Sequence, residues 1–353
     1  MNNLMTPQIQ VQISKSLNYT PFDIKWLPYS TKVVVVGQTP SSKGIIQIYH
    51  LIKGKLELES EYIKENPFKC CSFGASSFAK RELALVDFEG NFQVFDLEKG
   101  AQFYEIKKAH KSIIYTIDAV GGNLKYGTPE VVTGGKDGNV KIWDLRTDKP
   151  AIILEPKGIE NNCPECWSLA FGGCFNSEER TLGIGYDNGD IKIYDLRIDK
   201  LLYGENFKSG ICSLEFDKKN IPINKMVATT LDSKIYLFDF KNLDKNNNLF
   251  YDKLREEVNN TTIWGTKFFP QKRDIFVSMG GNGTLNLYRY YNNELIYSKD
   301  KRENKKLTLL NNNLICGQPI IGFDWHNTKF GLSCLVAFDR TIKICSINHL
   351  NLF

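Results

Sequence analysis

The chain has 353 residues and a formal net charge of +5, with 42% hydrophobic and 24% charged residues, which is the composition of a soluble globular protein. So weak a charge bias does not indicate a nucleic-acid partner, and no apolar run reaches the roughly 20 residues of a membrane-spanning helix. The N-terminal residues lack the basic and apolar segments of a secretory signal, so the nine scattered cysteines are expected to be reduced thiols of a cytoplasmic protein.

The first predicted element is a strand over residues 8–13, QIQVQI, in which apolar and polar residues alternate. A single pattern then returns seven times: a small or polar turn residue, alternating apolar positions, and an aromatic residue or its substitute. These seven predicted strands lie at 44–51, 90–97, 138–145, 189–196, 233–240, 283–290 and 340–347. A period of roughly 40–50 residues with strands of this kind is typical of WD-repeat propeller blades.

Each repeat contains more than this one strand. β-branched runs such as KVVVVGQ precede it, and alternating strands such as CWSLAF at 166–171 come before those runs. With an outer strand, each unit forms a four-stranded antiparallel blade. The last unit lacks an outer strand, and the strand at 8–13 would supply it and remove two exposed sheet edges. The sequence therefore predicts an all-β protein, a seven-bladed WD40 β-propeller that forms one domain over residues 1–353 and is closed by its N-terminal strand.

The third repeat carries a polar set that is typical of WD blades. The set consists of His110, Thr133, Asp137 and Trp143, which stand at the repeat's own spacing. We expect His110 to donate to Asp137, and Thr133 to join His110 to the Trp143 indole. Such a buried set stiffens a blade only if every member is satisfied. A catalytic pair of His110 and Asp137 is the alternative, but the repeat spacing favours the structural role.

A candidate binding rim follows from the first strand of each repeat. The residue after the leading apolar position is expected at the mouth of the ring, where the repeats have Phe22, Cys70, Tyr115, Trp167, Cys212, Trp264 and Ile321. Four aromatic residues and no charge predict an apolar patch, and the candidate protein-binding residues are Phe22, Tyr115, Trp167, Trp264 and Ile321. Simple packing at the channel mouth explains them equally well, because a register slip of one residue reverses the face of a strand.

Enzyme and cofactor signatures are missing from the sequence, so no catalytic residue, cofactor or metal is predicted. Cys163 and Cys166 have the spacing of a zinc site but lack a second pair of ligands, and the glycine-rich run at 280–284 precedes no helix. An enzyme with a site in the central channel is the weakest alternative, because no titratable residues converge on the mouth positions.

Three polar segments are predicted to be loops. The basic segment 298–313 is the longest and is expected to be a mobile outer loop. The asparagine-rich segments 245–248 and 259–260 are expected to be loop expansions that the fold tolerates.

Several segments together resemble one family, the Monad-type WD-repeat proteins, which are also described as dynein axonemal assembly factors. These segments are NYTPFDIKWLP (18–28), EVVTGGKDGNVKIWDLR (130–146), GYDNGDIKIYDLR (185–197), GICSLEFDKKN (210–220) and GQPIIGFDWH (317–326). The resemblance runs from Pro7 to about Ile347 and includes the segments between blades as well as the blade signatures.

The resemblance implies a cytoplasmic, non-enzymatic adaptor that is a monomer on its own. Its implied partners are RuvB-like ATPases, a tetratricopeptide co-chaperone and prefoldin-like subunits that work with the Hsp90 chaperone, together with the dynein chains whose preassembly they serve. The family has no catalytic residues to transfer to this chain. The alternative is a generic WD40 scaffold or the substrate receptor of a ubiquitin ligase, because bare propellers serve many assemblies.

Overall fold

The computed structural model describes residues 6–121, 129–156, 163–176, 180–243, 249–257, 261–292 and 305–352. Within these ranges the chain forms seven four-stranded antiparallel sheets, and its two helices are single 3-10 turns at Phe78–Lys80 and Leu350–Leu352. The sheets are the blades of a seven-bladed β-propeller, which confirms the predicted fold class.

The strands follow one another in chain order from the channel to the outside of each blade. Blade 1 has β2 (Thr20–Trp26), β3 (Lys32–Gln38), β4 (Gly44–Ile52) and β5 (Lys55–Lys64), and blade 2 has β6 (Phe68–Phe73), β7 (Glu82–Asp87), β8 (Phe92–Asp96) and β9 (Ala101–Ile106). Blade 3 has β10 (Ile114–Val120), β11 (Glu130–Gly135), β12 (Val140–Trp143) and β13 (Pro150–Leu154), and blade 4 has β14 (Cys166–Gly172), β15 (Thr181–Tyr186), β16 (Asp190–Asp195) and β17 (Lys200–Asn206).

The remaining blades repeat this order. Blade 5 has β18 (Ile211–Phe216), β19 (Lys225–Thr230), β20 (Lys234–Leu243) and β21 (Leu249–Glu257), and blade 6 has β22 (Ile263–Phe268), β23 (Ile275–Gly280), β24 (Thr284–Asn292) and β25 (Lys305–Leu314). Blade 7 has β26 (Ile320–Trp325), β27 (Leu332–Ala337), β28 (Thr341–Asn348) and, as its outer strand, β1 (Gln8–Ser16). The seven strands predicted from the repeat are the third strands of the blades.

The ring is closed by β1, as the sequence predicted. β1 pairs antiparallel with β28, with Ile9 opposite Ile347, and it continues beyond residue 13 to Ser16. Ile9 is 4% exposed and belongs to an apolar cluster that joins blades 6 and 7. On the other side, Lys15 Nζ donates to the Leu56 carbonyl at 3.1 Å in blade 1. The closing strand therefore contacts three blades.

The predicted outer loop at 298–313 is wrong over residues 305–313, which lie in β25. Asn311 Nδ2 donates to the Pro7 carbonyl at 2.9 Å, and Asn313 Nδ2 donates to the Ile9 carbonyl at 3.0 Å. Alternate residues of a strand share a face, so both amides reach the outer edge of β1. They satisfy carbonyls that an edge strand would otherwise leave open. Residues 298–304, 245–248 and 259–260 lie outside the described residues.

The core lies between blades rather than within one central cluster. Val33, Val34, Val35 and Val36 are all 0% exposed, because a second strand has a neighbouring blade against each of its faces. A strand that is buried on both faces has no need of alternation, so it reads as a continuous apolar run. Neighbouring blades thus fix one another, and the innermost strands hold the residues of the channel and its mouth.

Candidate functional site

The polar set of blade 3 forms one continuous hydrogen-bonded chain. His110 Nδ1 lies 2.9 Å from Asp137 Oδ1, His110 Nε2 lies 2.8 Å from Thr133 Oγ1, and Trp143 Nε1 donates to Thr133 Oγ1 at 2.8 Å. The indole can only donate, so the Thr133 hydroxyl is free to donate to Nε2, and Nδ1–H donates to the carboxylate. Every member is thus satisfied, and His110 is fully buried. This arrangement leaves His110 no access to a substrate.

Asp137 also fixes the backbone around this chain. Its carboxylate accepts from the amides of Lys111 and Asn139, each at 3.1 Å. Burial raises the pKa of Asp137, but the hydrogen bond from His110 and those from these amides outweigh burial and hold the pKa below its ordinary value. The charge therefore stays on the carboxylate and joins the turn of blade 3 to the segment that enters its first strand.

Every blade carries a β-bulge near the start of its innermost strand, at the third residue in blade 1 and at the second residue in the other six blades. The residues that the strand pairing skips are Phe22, Lys69, Tyr115, Trp167, Cys212, Trp264 and Ile321. A bulged residue is released from the alternation of the ladder and redirects its side chain. All seven lie at the same end of the ring, which we call the upper face, and the five predicted rim residues are among them.

Blade 2 departs from the prediction. The skipped residue is Lys69 and not Cys70, whose thiol packs against the apolar cluster of blades 2 and 3. In the sequence Phe68-Lys69-Cys70-Cys71, the pattern did not show which apolar residue leads the strand. Consequently the rim carries a charge, and the expectation of a charge-free rim is wrong at this position.

Phe22 is the centre of an aromatic cluster that spans blades 7, 1 and 2. Its ring centroid lies 5.0 Å from that of Phe88 and 6.2 Å from that of Phe338. Lys69 Nζ lies 5.6 Å from the Phe22 centroid. Phe88 and Phe338 occupy the turns between second and third strands, outside the first strands from which the rim was predicted. They enlarge the rim, and Phe338 is 42% exposed.

Tyr115 and Trp167 meet at one carboxylate. Trp167 Nε1 donates to Glu165 Oε2 at 3.2 Å, while burial and the hydrogen bond to Glu165 raise the pKa of Tyr115 to about 12. The Trp167 ring lies over Gly210 of blade 5, where a Cβ would come within 2.6 Å of the ring. The half-buried Glu165 carboxylate therefore orients both aromatic residues, and the absence of a side chain at Gly210 leaves room for the Trp167 ring.

Trp264 is the most exposed aromatic residue of the rim, at 44%. Its indole lies beside Gly281, and Leu231 on the neighbouring blade is 43% exposed. Among the described residues no ring contact joins Trp264 to the other rim aromatics. Ile321, in contrast, packs against the core of blades 7 and 1. The aromatic residues of the rim thus form a cluster around Phe22, a pair of Tyr115 and Trp167, and a separate exposed Trp264.

Charged residues of the inner strands link blades along the channel. Lys25 Nζ lies 2.6 Å from Asp23 Oδ1, and Asp23 Oδ2 accepts from the Cys71 amide of blade 2 at 3.1 Å. Asp324 Oδ2 accepts from the Trp26 amide of blade 1 at 2.8 Å. Each carboxylate therefore connects its own blade to the backbone of the next, which is a structural use for titratable groups in the channel.

Asp324 gives a testable pH dependence. Burial raises its pKa to about 6, against the opposing effect of Lys25. The folded chain therefore binds this proton more tightly than the unfolded chain, so this group's contribution to stability falls as the pH rises from about 4 to 6. Asp324→Asn keeps an acceptor for the Trp26 amide but binds no proton. We therefore expect the free energy of unfolding of the variant, relative to that of the wild type, to rise by on the order of 1–3 kcal/mol between pH 4 and pH 6. Urea denaturation at pH 4.5 and 7.5 measures the difference, and an equal difference at both pH values would contradict it.

Metal-binding and membrane-spanning features are absent from the described residues. Over the described ranges, no group of three or more His, Cys, Asp or Glu side chains is arranged to hold a metal ion. Cys163 is exposed and Cys166 is buried, both as free thiols. In that part of the chain no helix is long and apolar enough to span a membrane.

Relatives of the chain are similar to it over their whole length. The chain is 40% identical to dynein axonemal assembly factor 10 of Bos taurus over 361 aligned residues, which cover 99% of both proteins. The Homo sapiens protein of that name is also 40% identical with the same coverage, and the Chlamydomonas reinhardtii protein is 38% identical over 98% of both chains. No family model matches the chain.

Proposed function

The chain belongs to the dynein axonemal assembly factor 10 family, and we propose that it is a non-catalytic adaptor in the assembly of axonemal dynein. The observation that carries this proposal is the full-length similarity to proteins of that name. The resemblance to Monad-type WD-repeat proteins, which rested on blade signatures and on the segments between blades, points to the same role. An adaptor acts by binding its partners, so the residues that matter for this function are those of its binding surfaces.

The upper-face rim supports the adaptor role. Trp and Tyr side chains that are held rigidly but partly exposed are the usual energetic anchors of protein interfaces. Trp167 is fixed by Glu165 and Gly210, so little side-chain entropy is lost when a partner covers it. Trp264 projects into solvent. A partner that buries both would gain apolar contact area without reorganising the propeller.

The absence of an enzymatic role is part of the proposal. His110, the residue that catalysis would need most in blade 3, is fully buried, and both of its ring nitrogens have hydrogen-bond partners. The paired charges of the channel connect blades to one another. Both sets of titratable groups therefore already have structural partners.

We propose that the rim binds a co-chaperone assembly of RuvB-like ATPases, a tetratricopeptide co-chaperone and prefoldin-like subunits in the cytoplasm, and that this assembly hands over dynein chains. The test is affinity purification of the tagged chain from cells that are building flagella. We expect RuvB-like ATPases and dynein heavy chains in the wild-type sample, and at least a tenfold loss of both with Trp167→Ala, Trp264→Ala. Anchor residues of this kind commonly contribute about 2 kcal/mol or more each, which is sufficient for that loss.

The control is Leu314→Ala, a change at a 66% exposed leucine on the outer strand of blade 6. It should keep the partners, and circular dichroism should show that all variants are folded. A folded double variant that retains the partners would place binding away from the rim. Recovery of cullin-type proteins in place of both expected classes would instead support a ubiquitin-ligase receptor.

A further inference from the structure

The face opposite the rim carries a second exposed aromatic group. This lower face is formed by the turns between the first and second strands of each blade, because successive hairpins of a blade alternate between its two ends. On it, Tyr29 is 62% exposed and Phe330 is 49% exposed, and Phe78 lies in the 3-10 turn of blade 2. We call Tyr29, Phe78 and Phe330 the lower patch. Nothing in the adaptor role at the rim requires it.

Tyr29 occupies a backbone position that does not suit it. Ser30 N donates to the Leu27 carbonyl at 3.3 Å, which closes a tight turn with Pro28 and Tyr29 at its centre. Tyr29 has φ +55°, in the left-handed region where this turn favours glycine. A large side chain adopts that conformation at a cost, and a ring this exposed recovers little of it by burial. Strain at an exposed aromatic residue is typical of a binding position.

The turns that present the patch are fixed to one another. Gln271 Nε2 of blade 6 donates to the Asn327 carbonyl of blade 7 at 2.9 Å. His326 Nδ1 accepts from the Lys329 amide at 3.1 Å, so its Nε2–H donates to the Ser30 carbonyl of blade 1 at 3.2 Å. These bonds bridge three consecutive blades.

Ring contacts continue this chain at both ends. The Tyr29 ring stands 6.4 Å from the Phe78 ring of blade 2 in an edge-to-face arrangement. Phe330 lies edge-on to the buried Phe269 of blade 6, with 5.1 Å between ring centroids. The patch is therefore preorganised across four blades, which lowers the entropic cost of binding.

The turns that present the patch, and the residues next to them, carry several cations. Arg81, Arg273 and Lys32 are paired with Glu98, Asp217 and Glu59. Lys80, Lys272 and Lys329 have no acidic side chain within ion-pair distance among the described residues, and the nearby Asp274 is already paired with Arg289. Three uncompensated lysines around exposed rings complement an acidic ligand that carries an apolar side chain.

We propose that the lower patch binds an acidic peptide segment of a partner protein, with a large apolar or aromatic side chain of that segment seated against Tyr29 and Phe330. Such a segment would be held on the face that the rim leaves free. Because the two faces point in opposite directions, the propeller could hold this segment and a rim-bound partner at the same time.

The probe is a phage-displayed library of random twelve-residue peptides, selected on the full-length wild-type chain alone. We expect the enriched peptides to be acidic, to contain a large apolar residue, and to bind less tightly as salt is raised. Fluorescence polarisation with the enriched peptides should give at least a tenfold weaker affinity for Tyr29→Gly and for the charge reversal Lys329→Glu.

The glycine variant separates binding from folding. Glycine adopts φ +55° without strain, so the melting temperature of Tyr29→Gly should be unchanged or higher while binding is lost. Leu58→Gln, at a 49% exposed leucine on β5, and Trp264→Ala on the upper face should both retain binding. Enrichment of no peptide, of peptides without acidic residues, or of peptides that Tyr29→Gly binds equally well would overturn the proposal.

Discussion

Ile9→Asp is expected to destabilise the chain by about 4 kcal/mol or more, the largest effect predicted for a single substitution. Ile9 is 4% exposed against blades 6 and 7 on the closing strand. Aspartate would lose that burial and place a carboxylate without a partner in an apolar cluster. Since β1 is also the outer strand of blade 7, its release would expose the edge of β28. A lower urea midpoint and association of the variant on size exclusion should result.

The matched control lies one residue away on the same strand. Gln8 is exposed, because successive residues of a strand face opposite sides. Gln8→Asp introduces the same charge into the same strand and should change the free energy of unfolding by no more than about 0.5 kcal/mol. Equal midpoints for the two variants would mean that the N-terminal strand does not close the ring in solution.

The fold was predictable because its signal is repeated. One strand with a terminal aromatic residue is weak evidence, but seven copies at a near-constant interval leave few alternatives. The closing strand followed by elimination: the last repeat lacked an outer strand and residues 8–13 lacked a partner. The predicted end of this strand was less accurate, since β1 reaches Ser16 and not residue 13. Nothing in the polar sequence SKS marks where the strand ends.

Residues 305–313 show why polar composition misled the prediction. Lysine and asparagine are depleted in strands on average, yet β25 contains three consecutive asparagines. Asn311 and Asn313 are there because their amides reach carbonyls of a strand that is distant in sequence. Such a cause depends on tertiary structure, and a local reading of the sequence has no access to it.

The predicted rim residues remain candidates for binding, and the structure adds a feature that the sequence did not give. Their common feature is the bulge, which is a property of strand pairing. Phe88 and Phe338 were missed because they lie in turns rather than strands, although each precedes a turn acid or its substitute in the repeat. Asp87 was missed as well: it is fully buried and accepts from the Asn91 amide at 2.8 Å and the Asn91 side chain at 2.7 Å. Blade 2 thus has its own buried hydrogen-bonded pair, Asp87 and Asn91, which differs from the polar set of blade 3.

Thr133→Val is expected to cost about 2–4 kcal/mol, although valine has nearly the shape of threonine. The change leaves the Trp143 indole N–H without an acceptor and His110 Nε2 without a donor, in a site where threonine and histidine are 0% exposed. A buried polar group that loses its partner bears its full desolvation cost, and two such groups are created here. Chemical denaturation followed by circular dichroism measures the loss.

A double-mutant cycle with Trp143→Phe identifies the origin of this cost. Phenylalanine carries no N–H, and aromatic residues without an indole occupy the same repeat position in other blades, as Phe95 and Phe238 do. In the Trp143→Phe background, Thr133→Val orphans only His110, so its cost should fall by about 1–2 kcal/mol. Additive costs in the two backgrounds would show that the hydrogen-bonded chain is not the source of stability. A coupling of the expected size would mean that the third blade is stabilised by a set of polar groups that must be kept or replaced together.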